Sequence, residues 1–145
     1  SEDKIKLINP GFQITYRIMK NDPVKGEIYK VDVTCLRGDE LSRKIEAGEG
    51  FTVCDEYDRY KYKTFEAGEY TALPLQHKVM ENGRRCVGFH TLQEKKAYYN
   101  DTLSRFSPSE RRLINPHYYK VDISDGLYNL KIDILNRLNA EIRDL

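Results

Sequence analysis

The stretch Arg111–Leu135, RRLINPHYYKVDISDGLYNLKIDIL, decides how the whole chain is read. Pro116 disfavours helical backbone at Asn115 and biases it towards an extended form, so a helix begun upstream must stop there. Tyr119, Val121 and Ile123 then alternate with Lys120 and Asp122, the period of a half-buried strand. Ser124 stands where a helix N-cap is needed. Leu127, Leu130, Ile134, Leu138, Ile142 and Leu145 recur at helical spacing, with Ile132 off the stripe. The stretch therefore reads as helix stop, strand, capped helix, and its strand needs a sheet to join. His117 lies at the junction with no carboxylate or nucleophile close to it in sequence. It reads as a structural histidine that anchors the junction by hydrogen bonds. Its loss should then cost roughly 1–3 kcal/mol.

The sheet is found upstream. In FQITYRIM, Phe12, Ile14, Tyr16 and Ile18 fall on one face and Gln13, Thr15 and Arg17 on the other. NDPVKG is a turn cluster. IYKVDVTCL alternates again, with Tyr29, Val31, Val33 and Cys35 opposite Lys30, Asp32 and Thr34, so the two runs predict a hairpin. A short helix is expected over Glu40–Ala47, ended by Gly48. FTVCDEYDRYKYKTF reads as further strand, EAGEY as a turn, and Asn82-Gly83 as a two-residue hairpin loop that sets Val79 opposite Cys86. Thr91–Glu94 has the form of a capping box. It opens a helix whose Leu92, Tyr99, Leu103 and Phe106 share a face. Ser107–Glu110 repeats the box, with Pro108 at the first helical position. Strands first and helices after imply an α+β domain, a mostly antiparallel sheet with about three helices packed on one face. Residues 1–145 form a single domain in this reading, with 1–11 as a link from something before it.

Composition narrows the function. The chain has 145 residues, 39% hydrophobic and 32% charged, with a net charge of +1, so no strong field draws nucleic acid or an anionic membrane. No apolar run approaches a membrane span. Three cysteines without a close pair argue against a disulfide framework and for a reducing cytoplasm. Phosphate loops, dinucleotide fingerprints, HExxH and nucleophile elbows are all missing from the sequence. Cys35, Cys54, Cys86, His77, His90 and His117 would have to supply any metal site or thiol nucleophile. Only Cys86 and His90 are close, and the favoured reading makes Cys35 and Cys86 small hydrophobes in strands. Tyr57, Tyr60 and Tyr62 interleave with Arg59, Lys61 and Lys63. Single-stranded nucleic-acid binders use that pattern, but a one-face-exposed strand shows it too. Arg37-Gly38-Asp39, known as an adhesion tripeptide, reads as a strand-end turn.

The tail resembles the end of bacterial nicotinate phosphoribosyltransferases. The family's closing motif falls here on Arg111, Arg112, Asn115, Pro116, His117, Tyr119, Val121, Ser124, Leu127, Leu130 and Lys131. The head resembles it in Pro10-Gly11, Arg17 and the run from Asp32 to Asp39-Glu40. It departs from it at Gln13 and Ile14, where the family often has a basic residue and a glutamine. The resemblance implies a C-terminal accessory domain of an NAD-salvage enzyme. Such enzymes condense nicotinate with phosphoribosyl pyrophosphate, with ATP hydrolysis and magnesium assisting. Their catalytic histidine and phosphate loops lie in a barrel and an N-terminal domain upstream. The expectation is thus a fragment with no catalytic, cofactor-binding or metal residue of its own. Its partners are the missing domains, with a homodimer contact left open, and neither nucleic acid nor membrane. Ser1 is expected to mark a cut through a larger protein. The competing expectation is a free-standing binding module of the same fold, which a methionine directly before Ser1 in the gene would favour. The expected apolar patch, covered by the rest of the enzyme, includes Ile132 and the aromatics of 57–65.

Overall fold

The computed structural model describes residues 13–117 and 120–144. In chain order the elements are β1 (Gln13–Asp22), β2 (Gly26–Leu36), α1 (Glu40–Ala47), β3 (Phe51–Asp55), β4 (Tyr62–Phe65), β5 (Tyr70–Pro74), β6 (Met80–Glu81) and β7 (Arg84–Arg85). They continue with α2 (Leu92–Ser104), α3 (Pro108–Arg111), β8 (Val121–Ile123) and α4 (Asp125–Arg143). Six strands form one sheet in the order β4-β3-β8-β2-β1-β5, and β6 and β7 pair by themselves. The pair β2–β8 is parallel and every other pair antiparallel. This is the α+β arrangement expected.

The β1–β2 hairpin is the longest pairing, from Gln13 opposite Leu36 to Asp22 opposite Gly26. Its turn is held by the Asp22 carboxylate, which accepts from Val24 N and Lys25 N, both at 2.8 Å. One face of the sheet buries Ile14, Tyr16, Ile18, Val31, Val33, Phe51 and Val53 beneath Leu41 and Ile45 of α1. The Tyr16 hydroxyl reaches this helix, donating to Glu46 Oε1 at 2.6 Å and lying 3.1 Å from Ser42 Oγ. Gly48 ends α1 at φ 72°, the left-handed stop that a glycine takes without strain. The first half of α4 covers the opposite face, where Leu127, Leu130 and Ile134 line a groove with Thr34, Val121 and Ile123. Helices therefore lie on both faces of the sheet and not on one as expected, because β8 leads straight into a helix on the face opposite α1.

Strict alternation placed Tyr29 with Val31. The register shifts between Ile18, opposite Val31, and Met19, opposite Tyr29, so Lys30 is an extra residue. That bulge turns Tyr29 to the other face. There its ring lies 4.7 Å from that of Phe106, and its hydroxyl donates to Lys120 O at 3.0 Å. The same face holds a forked ion pair. Arg17 Nε and Nη2 donate to Asp32 Oδ1 and Oδ2 at 3.1 and 3.3 Å, and Asp32 is buried. Burial raises the Asp32 carboxyl above its ordinary value, and Arg17 opposes the rise.

Four further expectations change. FTVCDEYDRYKYKTF is not one run of strand. Asp55 accepts from Tyr57 N and Asp58 N and so turns the chain between β3 and β4. Asn115 is not extended but left-handed at φ 47°; with α3 already ended at Arg111, the proline rule had no helix left to stop. Cys86 is exposed and lies just past β7 instead of packing as a small hydrophobe. His117 is exposed, and it is its backbone N–H that anchors the junction, donating to Ser109 O at 3.0 Å. Tyr119, Phe12 and the linker 1–11 lie outside the described residues.

The closing strand behaves as read. β8 is threaded between β2 and β3, and Ser124 caps α4 by accepting from Leu127 N at 3.0 Å. Ser124 Oγ also donates to Asp39 Oδ2 at 3.1 Å, and Asp39 caps α1 by accepting from Ser42 N at 2.8 Å. Replacing Ser124, 2% exposed, with alanine removes one cap and half of that junction. The expected loss is about 1–2 kcal/mol in urea unfolding with the slope unchanged.

Asp122 is 4% exposed, and its Oδ2 has no hydrogen-bond partner. Asp55 stands directly opposite it on β3. Burial raises its carboxyl above the ordinary value; Lys63 and Lys120 oppose the rise and Asp55 adds to it. A folded-state pKa above the unfolded one means that the native protein holds the proton more tightly. Stability therefore falls as pH climbs from the unfolded-state value through the raised folded-state one. Asp122→Asn should raise stability at pH 7 by on the order of 1 kcal/mol. The gain should vanish below pH ~4, where the wild-type carboxyl is itself protonated. Paired urea titrations at the two pH values read the difference directly.

Candidate interaction surface

Between β5 and Arg105 the chain leaves the sheet and comes back. At the outgoing root Leu75 N donates to Thr15 O at 2.9 Å, and the Gln76 amide oxygen accepts from Thr15 N at 2.7 Å. At the return Tyr29 N donates to Arg105 O at 3.1 Å, and Arg105 bridges Glu27 and Asp101 at 3.0 and 2.9 Å. Residues 76–101, between these roots, are all exposed.

Local contacts shape this arm. Asn82 and Gly83, at φ 50° and 75°, make the mirror-image turn that the Asn-Gly pair predicts. Cys86 N donates to Val79 O at 2.8 Å, as the two-residue loop requires. Thr91 Oγ1 caps α2 by accepting from Glu94 N at 3.1 Å, and Glu94 Oε2 lies 3.1 Å from His90 Nδ1. The Arg85 guanidinium sits 3.4 Å from the centre of the Phe89 ring. The apolar face expected on α2 is present but uncovered: Leu92 is 78% exposed and no residue of the helix is buried. Phe89 and, beyond α3, Leu113 are 85% and 98% exposed.

The Tyr-and-basic run is a separate feature. Arg59 stacks on the Tyr128 ring at 4.6 Å and reaches Asp125 at 3.4 Å, while Lys131 lies 5.1 Å from the Tyr57 ring centre. These contacts tie the loop between β3 and β4 to α4, so two cations near these tyrosines serve the domain's own packing. Tyr57, Tyr60 and Tyr62 remain largely exposed and Ile132 is 38% exposed, whereas Phe65 packs against the core.

The candidate chemical residues do not assemble. Burial pushes the Cys35 thiol up to about 12 and raises that of Cys54, the opposite of an activated nucleophile. Among the described residues no three His, Cys, Asp or Glu side chains are placed to hold a metal ion. A cavity of ≈ 500 Å³ opens where the starts of α1 and α4 meet. Asp39 and Ser124 each take one amide of those helix starts, and the cavity is lined by Asp39, Glu40, Glu66 and Asp125 against Lys44, a charge balance that opposes a phosphate. Asp39, the last residue of the adhesion-like tripeptide, is a capping residue here. Among the described residues no helix is long and apolar enough to cross a membrane.

A model of the nicotinate phosphoribosyltransferase C-terminal domain matches residues 12–131. The chain belongs to that family. Among solved structures it is similar to human nicotinic acid phosphoribosyltransferase, with a TM-score of 0.67 and 20% identity over 85% of this chain. It spans 23% of the human chain's length. A search of curated proteins returned no match. The first part of the tail pattern sits on the surface, with Arg111, Arg112, Asn115 and His117 all exposed, whereas Ser124 is buried. The Arg17–Asp32 pair and the Asp39 cap escaped the sequence reading. Counting back from the turn sets Arg17 against Val31; only the extra residue Lys30 brings Asp32 opposite Arg17, so the pair depends on a register shift that the sequence does not mark.

Because His117 is exposed, His117→Ala should leave the chain's stability within about 0.5 kcal/mol of wild type. Thermal melts of the two proteins side by side check it, against the larger loss that a buried histidine would give.

Proposed function

We propose that the chain is the C-terminal accessory domain of a nicotinate phosphoribosyltransferase of the bacterial kind. The whole enzyme would make nicotinate mononucleotide and pyrophosphate from nicotinate and phosphoribosyl pyrophosphate, in cytoplasmic NAD salvage. The observation that carries this reading is the family match over residues 12–131. The uncovered apolar arm supports it, because a surface of that kind calls for a partner. The partners proposed are the N-terminal and barrel domains of the same enzyme. ATP and magnesium would act there. In this domain the cavity at the helix starts is lined by Asp39, Glu40, Glu66 and Asp125 against Lys44, a balance unsuited to the phosphates that phosphoryl chemistry must hold.

The chain alone should therefore give no turnover. Incubation with nicotinate, phosphoribosyl pyrophosphate, ATP and magnesium should release pyrophosphate no faster than a buffer blank. Activity that follows the purified chain through a sizing column would overturn the reading. Adding the chain to an enzyme body that lacks its C-terminal domain should raise that body's thermal midpoint.

A further inference from the structure

We infer that the arm, residues 76–104, takes its folded form only when its apolar face lies against the body of the phosphoribosyltransferase, making it a clamp that orders on docking. The inference rests on the function proposed above and adds where the body is gripped. Its ground is an imbalance within the arm. The hairpin has two residue pairs, Met80–Arg85 and Glu81–Arg84, and a lone hairpin is marginal in water. The helix α2 has 13 residues, none buried, at the length where an isolated helix is also marginal. Ordering so many residues needs apolar burial, and from 76 to 101 there is none. The sheet does not share this weakness, with Ile18, Val31, Val33 and Cys35 fully enclosed.

The arm also states the chemistry of its occupant. Val79, Met80, Phe89 and Leu92 offer an apolar surface, each more than half exposed. Residues 76–104 carry five Lys or Arg and three Asp or Glu. Each of the three carboxylates is engaged nearby: Glu81 with Lys78, Glu94 with His90 and Asp101 with Arg105. Among the described residues no carboxylate pairs with Arg84 or Arg85. The surface that fits is apolar with carboxylates facing the hairpin. A second copy fits poorly, because two basic arms would repel. The enzyme body is the occupant at hand, since the chain spans only 23% of the human enzyme's length.

Hydrogen exchange tests the ordering. In the free chain, amides of 77–103 should exchange at least a hundredfold faster than those of β1 and β2. In the intact enzyme the same amides should be protected, by tenfold or more. Calorimetric titration of the chain into an enzyme body lacking its C-terminal domain tests the grip. Phe89→Asp with Leu92→Asp should weaken binding by fiftyfold or more. Tyr60→Asp, on the loop against α4, should change it less than threefold. All three side chains are exposed, so the sheet of each variant should keep its exchange pattern. An arm in the free chain as protected as the sheet overturns the inference. So does tight binding by the arm variant, which leaves the proposed function standing. Self-association of the chain through the arm also overturns it. If the wild-type chain fails to bind the body at all, both the inference and the proposed function fall.

Discussion

The sheet depends on the insertion of one short strand. β8 has three residues, yet it lies between β2 and β3 and joins the β1–β2–β5 half to the β3–β4 half. Its parallel pairing with β2 is bracketed by two bonds: Asp32 N donates to Lys120 O at 3.2 Å and Ser124 N to Thr34 O at 3.1 Å. A strand so short adds little by its own ladder. What keeps it in register is Ile123, 4% exposed on one face, and the helix whose cap, Ser124, is the very next residue. A one-residue slip would bring Asp122 to the α4 side and Ile123 away from it.

Polar groups at this junction act as fasteners because they are desolvated and matched. Asp39 accepts from Leu36 N at the end of β2, from Ser42 N at the start of α1 and from the Ser124 hydroxyl at the start of α4. One carboxylate therefore ties together the longest strand and the two helices that cover opposite faces of the sheet. Arg17 and Asp32 do the same between β1 and β2, where Phe106 closes over the guanidinium at 5.2 Å. Asp122 is the exception, buried with an unmatched oxygen.

The molecule thus has two regimes. The sheet with α1 and the first half of α4 encloses its own core. The arm beyond β5 has roots in that core but no burial of its own, and the second half of α4 likewise exposes Leu135, Leu138 and Ile142. In the docking inferred above, this division has a use. A scaffold that holds itself together can present an arm whose apolar side chains are reserved for contact.

Local chemistry alone determined a good deal. Alternation in β1, the Asn82-Gly83 turn, the Thr91 and Ser124 caps and the helix over Glu40–Ala47 were all legible. Each depends on residues within a few positions of one another, and so did the tail pattern that pointed to the family. Tertiary structure decided the rest. The bulge at Lys30 moved Tyr29 across the sheet, because a register shift depends on the partner strand and leaves no mark in the alternation of β2 itself. Asp55 turned an apparent strand into two, and Asn115 became left-handed once α3 had ended early. Whether the α2 stripe and His117 were buried depended on what lies beside them in space. The stripe has the period of a core helix, but period records only that a face is apolar; burial needs a surface to meet it, and among the described residues the arm meets none.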